Sequence, residues 1–366
     1  MKTTNDKYTE GVVLYTSSSS IVQKAVDNET KEEVLLKKPS VEFPSFTTTE
    51  AFKKDFQYTK LLHESHPDNF INMIDMVEQK NGSVFLVEEA SFTGLQFYLQ
   101  QKVKLDIQEF IKIALGMTKS LHFAHSKQII HRDIKLANFV LSTTENDLKV
   151  KLIDFGLSIM VSRKSPSISC TTPTGTFSYM SPEQTGRISK NIDFRSDIYS
   201  LGISFFELLT GILPFTGDLL ALVHSHITKK LPLIDEIPSI LNDLIQKMCS
   251  KNPKERYNST EGILKDLEFI SKNLNSIPKQ FQIGQQDSQI FQIPNKLYGR
   301  KEEIKLLKES IQNSKEKNIC LISGESGMGK SKLIEELLKD QELNLLMAYG
   351  KFDQFNRMTP YSAFIR

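Results

Sequence analysis

His131-Arg132-Asp133-Ile134-Lys135-Leu136-Ala137-Asn138 sets a carboxylate, an ammonium and an amide within one short segment, and the fold assignment rests on it. Downstream stand Asp154-Phe155-Gly156, then Gly175-Thr176-Phe177-Ser178-Tyr179-Met180-Ser181-Pro182-Glu183, then Ser196-Asp197-Ile198-Tyr199-Ser200-Leu201-Gly202. Around these motifs, from Asp106 to about Phe269, the apolar residues recur at helical spacing. Phe110, Ile111, Ala114, Leu115 and Met117 form one such stripe, and Ile198, Leu201, Phe205, Leu208 and Leu209 form another. Before residue 90 the pattern differs. Short β-like runs (Gly11–Tyr15, Glu33–Lys37, Ser83–Val87) flank a helical stretch near residues 48–63. A small β-rich unit followed by a large helical one predicts an α+β fold.

The motifs, in this order and spacing, resemble the eukaryotic-type protein kinase family over about residues 8–272. The resemblance implies a bilobal fold, with a small lobe at about 1–89 and a large lobe at about 92–272, within a domain of residues 1–274. It also implies roles. Phosphoryl transfer is mostly positioning and charge stabilisation. Asp133 would orient the incoming hydroxyl and take its proton. Lys135 would offset charge on the moving phosphoryl group, and Thr176 would bridge the two; this pair favours Ser/Thr over Tyr acceptors. Asn138 and Asp154 stand where the family holds Mg²⁺, a cation that prefers oxygen ligands. Glu183 and Arg256 fit a buried ion pair, and Asp197 fits the acid that supports the catalytic loop. Arg132 stands where the family often pairs with a phosphorylated activation loop, here offering Ser165, Ser167, Ser169, Thr171, Thr172 and Thr174. His122 and His125, at i and i+3, read as packing residues rather than metal ligands.

The small lobe agrees in part. Val34-Leu35-Leu36-Lys37 fits the strand whose lysine holds the α- and β-phosphates of ATP, and Val22 fits the end of the nucleotide loop. Lys38 should point to the other face of its strand. Val87–Ser91 should offer main-chain groups to the adenine, with Glu89 and Ser91 as the contacting residues and Glu88 as an unusual candidate for the gatekeeper position. Two features depart from the family. Tyr15, Ser17 and Ser20 replace three glycines, which are favoured where a turn needs permissive dihedrals. Asp55 replaces the glutamate that pairs with the lysine. These departures keep a nucleotide-binding pseudokinase scaffold open as the alternative to an active Ser/Thr kinase, and a weaker third possibility makes the kinase lobes an input to an ATPase switch.

A second constellation follows a polar stretch, residues 275–294, that reads as a linker. Gly324-Glu325-Ser326-Gly327-Met328-Gly329-Lys330-Ser331 fits a P-loop between a strand-like run, Asn318–Ser323, and a helix from Lys330. Gly324, Gly327 and Gly329 would cradle phosphates on the main chain, Lys330 would reach the β- and γ-phosphates, and Ser331 would ligate Mg²⁺. Leu297–Ile304 resembles the entry motif of AAA-like and STAND ATPases. Residues 295–366 are therefore expected to be the N-terminal part of a P-loop ATPase domain, a partial α/β segment. Met180–Arg187 and Tyr349–Arg357 resemble the hybrid multi-sensor signal-transduction kinases. In that family a Ser/Thr kinase precedes a STAND-type ATPase, sensor domains and often a histidine kinase. The resemblance implies an N-terminal piece of a longer chain, with protein Ser/Thr substrates and downstream sensor or histidine-kinase domains as partners.

Composition sets outer bounds. The 366 residues carry 46 Lys and Arg against 44 Asp and Glu, a formal charge of +2, which gives no global positive field for nucleic acid. With 25% charged and 39% hydrophobic residues the chain suits a globular protein. No apolar run reaches the ~18 residues of a membrane span. Cys170, Cys249 and Cys320 form no CxxC pair, so a reducing compartment and a cytoplasmic location are expected.

Overall fold

The computed structural model describes residues 7–79, 83–90, 92–102, 105–143, 148–162, 166–168, 173–188, 191–235, 237–274, 276, 278, 281–287, 300–312, 320–323 and 333–334. Two compact units divide the chain, residues 1–289 and 290–366.

The first unit begins with strands β1 (Tyr8–Thr16), β2 (Ser20–Asp27) and β3 (Glu33–Pro39), helix α1 (Phe46–Ser65), and strands β4 (Met73–Glu78) and β5 (Val84–Glu89). The strands make one antiparallel sheet in the order β1-β2-β3-β5-β4. Strand alternation sorts its side chains. On one face Tyr8, Ala25, Val34, Leu36, Phe85 and Val87 form a small core. On the other, Met73, Val84 and Leu86 pack with Ile71 against Phe52 of α1. Helix α1 is N-capped by Ser45, whose hydroxyl accepts from the Thr48 N–H. Its buried stripe, Phe52, Asp55, Thr59 and Leu62, has helical spacing but is half polar.

Strand β6 (Thr93–Gly94) and helix α2 (Leu95–Gln100) lead into the large lobe, whose central helix is α3 (Ile107–Ser126). Then come β7 (Ile129–Ile130), β8 (Phe139–Thr143), β9 (Leu148–Leu152) and β10 (Ile159–Met160), followed by α4 (Phe194–Thr210), α5 (Leu219–Thr228), α6 (Ser239–Met248) and α7 (Thr260–Asn273). Apolar stripes of α3, α4, α6 and α7 share one core that includes Phe110, Met117, Leu201, Phe205, Leu244 and Leu267. Helix α4 meets α6 closely at Gly202, where an added Cβ would lie 2.6 Å from the Cys249 sulfur. Only a residue without a side chain permits that approach.

The large lobe continues beyond α7. Phe281 stacks on Phe269 with ring centroids 4.1 Å apart. The Gly284 N–H donates to Asp266 at 2.7 Å, and Asp287 accepts from the Asn258 N–H at 2.6 Å. Part of the polar stretch after α7 is thus laid back onto the lobe. In the second unit, α8 (Lys301–Gln312) is an amphipathic helix. Residues 320–323, the described part of the run expected in a strand, are in no regular element, and no described strand pairs with them.

Candidate active site

The sheet, α1 and the loops around β7 to β9 bring Lys37, Asp55, Asp133, Lys135, Asn138, Asp154 and Thr176 together. On β3, Lys37 lies opposite Leu86 of β5 and Val22 of β2, so all three share the face toward α1. The Lys37 ammonium bonds Asp55 at 2.7 Å and Asp154 at 3.0 Å. Asp55 is itself fixed: its other oxygen accepts from the Phe155 N–H at 2.8 Å and from the Thr59 hydroxyl at 3.2 Å. The shorter acid therefore completes the lysine pair, and one ground for a pseudokinase is removed. Burial alone would lower the Lys37 pKa, but Asp154 and Asp55 more than reverse this and hold the lysine charged. Burial likewise works against the Asp154 carboxylate; Lys37 overcomes it and brings the Asp154 pKa below its ordinary value. Lys38 points to the opposite face, as expected, and pairs with Glu10.

The catalytic loop follows β7. The Asp133 carboxylate accepts from Thr176 through both the amide N–H and the hydroxyl, each at 2.7 Å, and from Lys135 at 2.7 Å. Lys135 also donates to the Thr176 hydroxyl at 2.8 Å, closing the expected triangle. The Asn138 amide donates to the Asp133 carbonyl at 2.8 Å. Gly175, at φ +111°, passes so near that a Cβ would lie 2.5 Å from the Arg132 carbonyl. Arg132 and Asp154 themselves have left-handed backbones, φ 71° and 68°, a strained geometry that concentrates at functional sites. Asp197 holds the loop from beneath, accepting from the His131 and Arg132 N–H groups at 2.8 Å each and bonding His125 at 2.9 Å. His125 is thus a packing residue, and His122 bonds Thr260.

Phe155 packs on His131 and Phe70, which sets Asp154 facing Lys37. Glu183 and Arg256 form the buried pair through two bonds, 2.7 and 2.9 Å, with Ser196 adding a third to the carboxylate. The donor set fits a hard divalent cation: the Asn138 amide oxygen and the Asp154 carboxylate are the oxygen ligands Mg²⁺ prefers, which usually takes one or two carboxylates and completes its shell with phosphate and water. No cluster of His, Cys, Asp and Glu with the makings of a separate metal site occurs among the described residues.

The nucleotide loop makes its turn without glycine. None of Tyr15, Ser17 and Ser20 has a positive φ. The Ser17 hydroxyl accepts from the Ser20 N–H at 2.9 Å and the Ser19 N–H at 3.2 Å, capping the turn from within. At the hinge, the Glu89 carboxylate is taken by Lys151 at 2.7 Å and the Asn72 N–H at 2.9 Å, so a role toward purine falls to its main chain. Ser91, the P-loop residues Gly324, Gly327, Gly329, Lys330 and Ser331, and Ser165, Ser169, Thr171 and Thr172 lie outside the described residues. Three participants escaped the sequence: Thr59, Lys151 and Gln184, whose amide donates to the Arg132 carbonyl at 2.9 Å. Only Gln184 left a signal, as the last residue of a Ser181-Pro182-Glu183-Gln184 capping box.

Residues 8–267 match the family described as the protein kinase domain, and residues 296–366 match the AAA ATPase domain. A hybrid signal transduction histidine kinase G of Dictyostelium discoideum is 30% identical over 75% of this chain and 11% of its own length. A probable serine/threonine-protein kinase of Clostridium perfringens is 36% identical over 61% of this chain and 32% of its own. The serine/threonine-protein kinase PrkC of Bacillus subtilis is 30% identical over 66% of this chain and 37% of its own. The chain therefore spans well under half the length of these relatives. No helix among the described residues is long and apolar enough to cross a membrane.

Proposed function

Because the chain belongs to the protein kinase family, we propose that it transfers the γ-phosphoryl group of Mg-ATP to Ser and Thr hydroxyls of protein substrates, within a longer signalling protein whose next part is an ATPase. The observation that carries the reading is the Asp133–Lys135–Thr176 triangle. In this reading Asp133 aligns the acceptor hydroxyl and takes its proton as the new P–O bond forms. The bond from the γ-phosphorus to the β-phosphate oxygen breaks, and ADP leaves. Lys135 faces the charge on the moving group, and Lys37 holds the α- and β-phosphates. Mg²⁺, held by Asn138 and Asp154, would neutralise phosphate charge. Such a site works by preorganised charge, which costs no rearrangement at the moment of transfer.

The neighbouring segment is assigned nucleotide binding through Gly324, Gly327, Gly329, Lys330 and Ser331, on the strength of the P-loop pattern and the AAA match. The partners that go with this reading are protein substrates and, after the likeness to a hybrid signal transduction histidine kinase and the family resemblance of its motifs, sensor or histidine-kinase parts of a longer chain. The test is radiolabelled autophosphorylation of the full chain beside Asp133→Asn. Incorporation into Ser or Thr that falls at least about a hundredfold in the variant, with an unchanged melting curve, is expected. Equal incorporation would remove Asp133 from its role.

A further inference from the structure

Glu88 is a buried acid at the inner end of the cleft, and the phosphoryl-transfer machinery does not use it. On β5, Val84 and Leu86 face α1 while Phe85 and Val87 face the opposite core, so alternation sends Glu88 to the α1 side. Its cross-strand partners are Leu35 of β3 and Met73 of β4, while Lys37 lies opposite Leu86. Glu88 is therefore one step along the same sheet face from the phosphate-holding lysine, about 7 Å along the strand by ordinary β geometry. The step leads toward the segment expected to meet the purine. The residue is 7% exposed.

Such a carboxyl needs a partner. Lys37 is already bonded to Asp55 and Asp154. Among the described residues no hydrogen bond reaches the Glu88 side chain. The charges that act on it are Lys37 from β3, Asp55 from α1 and Asp154 from the loop after β9 on its own side, and, more weakly, Glu89, whose side chain alternation turns to the other face. Met73, across on β4, is apolar. With one cation already shared between two acids, a third buried carboxylate is a surplus negative charge.

We propose that the Glu88 carboxyl reads the 6-substituent of the bound purine, accepting from a 6-amino group when ionised and donating to a 6-oxo group when protonated. The proposal rests on the nucleotide-binding reading of the cleft. A 6-amino group is a donor and suits either form of the acid, because a neutral carboxyl still offers its carbonyl oxygen. A 6-oxo group is an acceptor, and the ionised acid repels it. Sites that hydrogen-bond a substituent discriminate strongly, since the wrong group leaves a buried polar atom unpaired. Burial, with Asp55, Asp154 and Glu89 adding to it and Lys37 opposing, pushes the Glu88 carboxyl up to about 8. The choice of purine should therefore change across mildly alkaline pH.

The test measures binding of ATP and of ITP, which differ in the 6-substituent and the adjoining ring proton, by calorimetry between pH 6.5 and 8.5, on the full chain with Lys330→Ala as the common background so that the P-loop does not contribute. Wild type, Glu88→Gln and Glu88→Leu are compared. In wild type the affinity for ITP relative to ATP should fall about fourfold over this range, following the fraction of Glu88 that stays protonated. In Glu88→Gln, which donates and accepts at every pH, and in Glu88→Leu, which does neither, the ratio should stay flat. A wild-type ratio that does not move with pH overturns the proposal, as does a pH shift that persists in a folded variant. If wild type binds neither nucleotide at any pH, the nucleotide-site reading fails first and the proposal falls with it. Should both variants fail to fold, the wild-type profile alone decides.

Discussion

One methylene separates Asp55 from the glutamate that the family resemblance leads one to expect, and the neighbours of Asp55 absorb the difference. Its two oxygens serve Lys37, Thr59 and the Phe155 N–H, so a single buried acid ties β3, α1 and the Asp154 loop together. Asp55→Ala leaves Lys37 with Asp154 alone and strands a buried N–H. We expect phosphoryl transfer to fall by about a hundredfold through misplacement of Lys37 and Asp154, read as kcat/KM for ATP in a coupled assay. A change below about twofold would show that Lys37 is positioned by Asp154 without help. Asp133, Lys135, Asn138, Asp154 and Thr176 were legible in the sequence because they crowd into short motifs with fixed spacing. Thr59 and Lys151 were not: Thr59 bonds Asp55 one turn earlier on α1, a pairing that matters only once the fold buries both, and Lys151 reaches Glu89 across the hinge with nothing local to announce it, while Gln184 showed only as a cap and not as a partner of Arg132.

The β1–β2 hairpin shows how an element can keep its turn while changing its residues. Glycine there supplies dihedral freedom, whereas serine supplies an internal acceptor, and the Ser17 hydroxyl caps two N–H groups that a ligand phosphate would otherwise find free. Ser17→Ala should release both. Tighter ATP binding, with a several-fold fall in Kd by calorimetry, is expected if those N–H groups then turn to phosphate; a loss of binding would show instead that the capped turn is the competent one. Strands and helices were read unevenly from the sequence. Helix α1 and strands β1, β3 and β5 were visible as patterned runs. Strand β2 was not, since Gln23, Lys24 and Lys37's neighbour Val22 break the apolar alternation, and the element is specified by pairing on both sides. Strand β4, with Asp75 inside it, lost its pattern for the same reason.

Across the whole large lobe, buried polar groups lock the helices to the segment that carries Thr176. His226 of α5 donates to the Ser178 carbonyl at 3.1 Å and accepts from the Tyr199 hydroxyl at 3.0 Å, which requires the neutral ring. Burial, aided by Lys251 and opposed by the Ser178 and Phe177 carbonyls, lowers its pKa from 6.5 to about 4. Between those values the unfolded chain takes up a proton that the folded one refuses, so stability falls as pH drops from about 6.5 toward 4. The loss from this residue approaches about 3 kcal/mol at the lower end. Melting temperatures of wild type and His226→Gln should converge as pH falls through this window; curves that stay parallel would exonerate His226. The close passage of α4 over α6 at Gly202 has a different consequence. Cys249 is sealed beneath it, 4% exposed, and burial pushes its thiol up to about 12, whereas Cys320 is exposed. A thiol that is neither reachable nor ionised cannot meet an alkylating reagent until the two helices part. Cys249 is therefore a clock: its rate of alkylation, followed by peptide mass spectrometry at rising reagent concentration, should level off at the rate at which the large lobe opens, and a rate that climbs without limit would mean that the seal leaks.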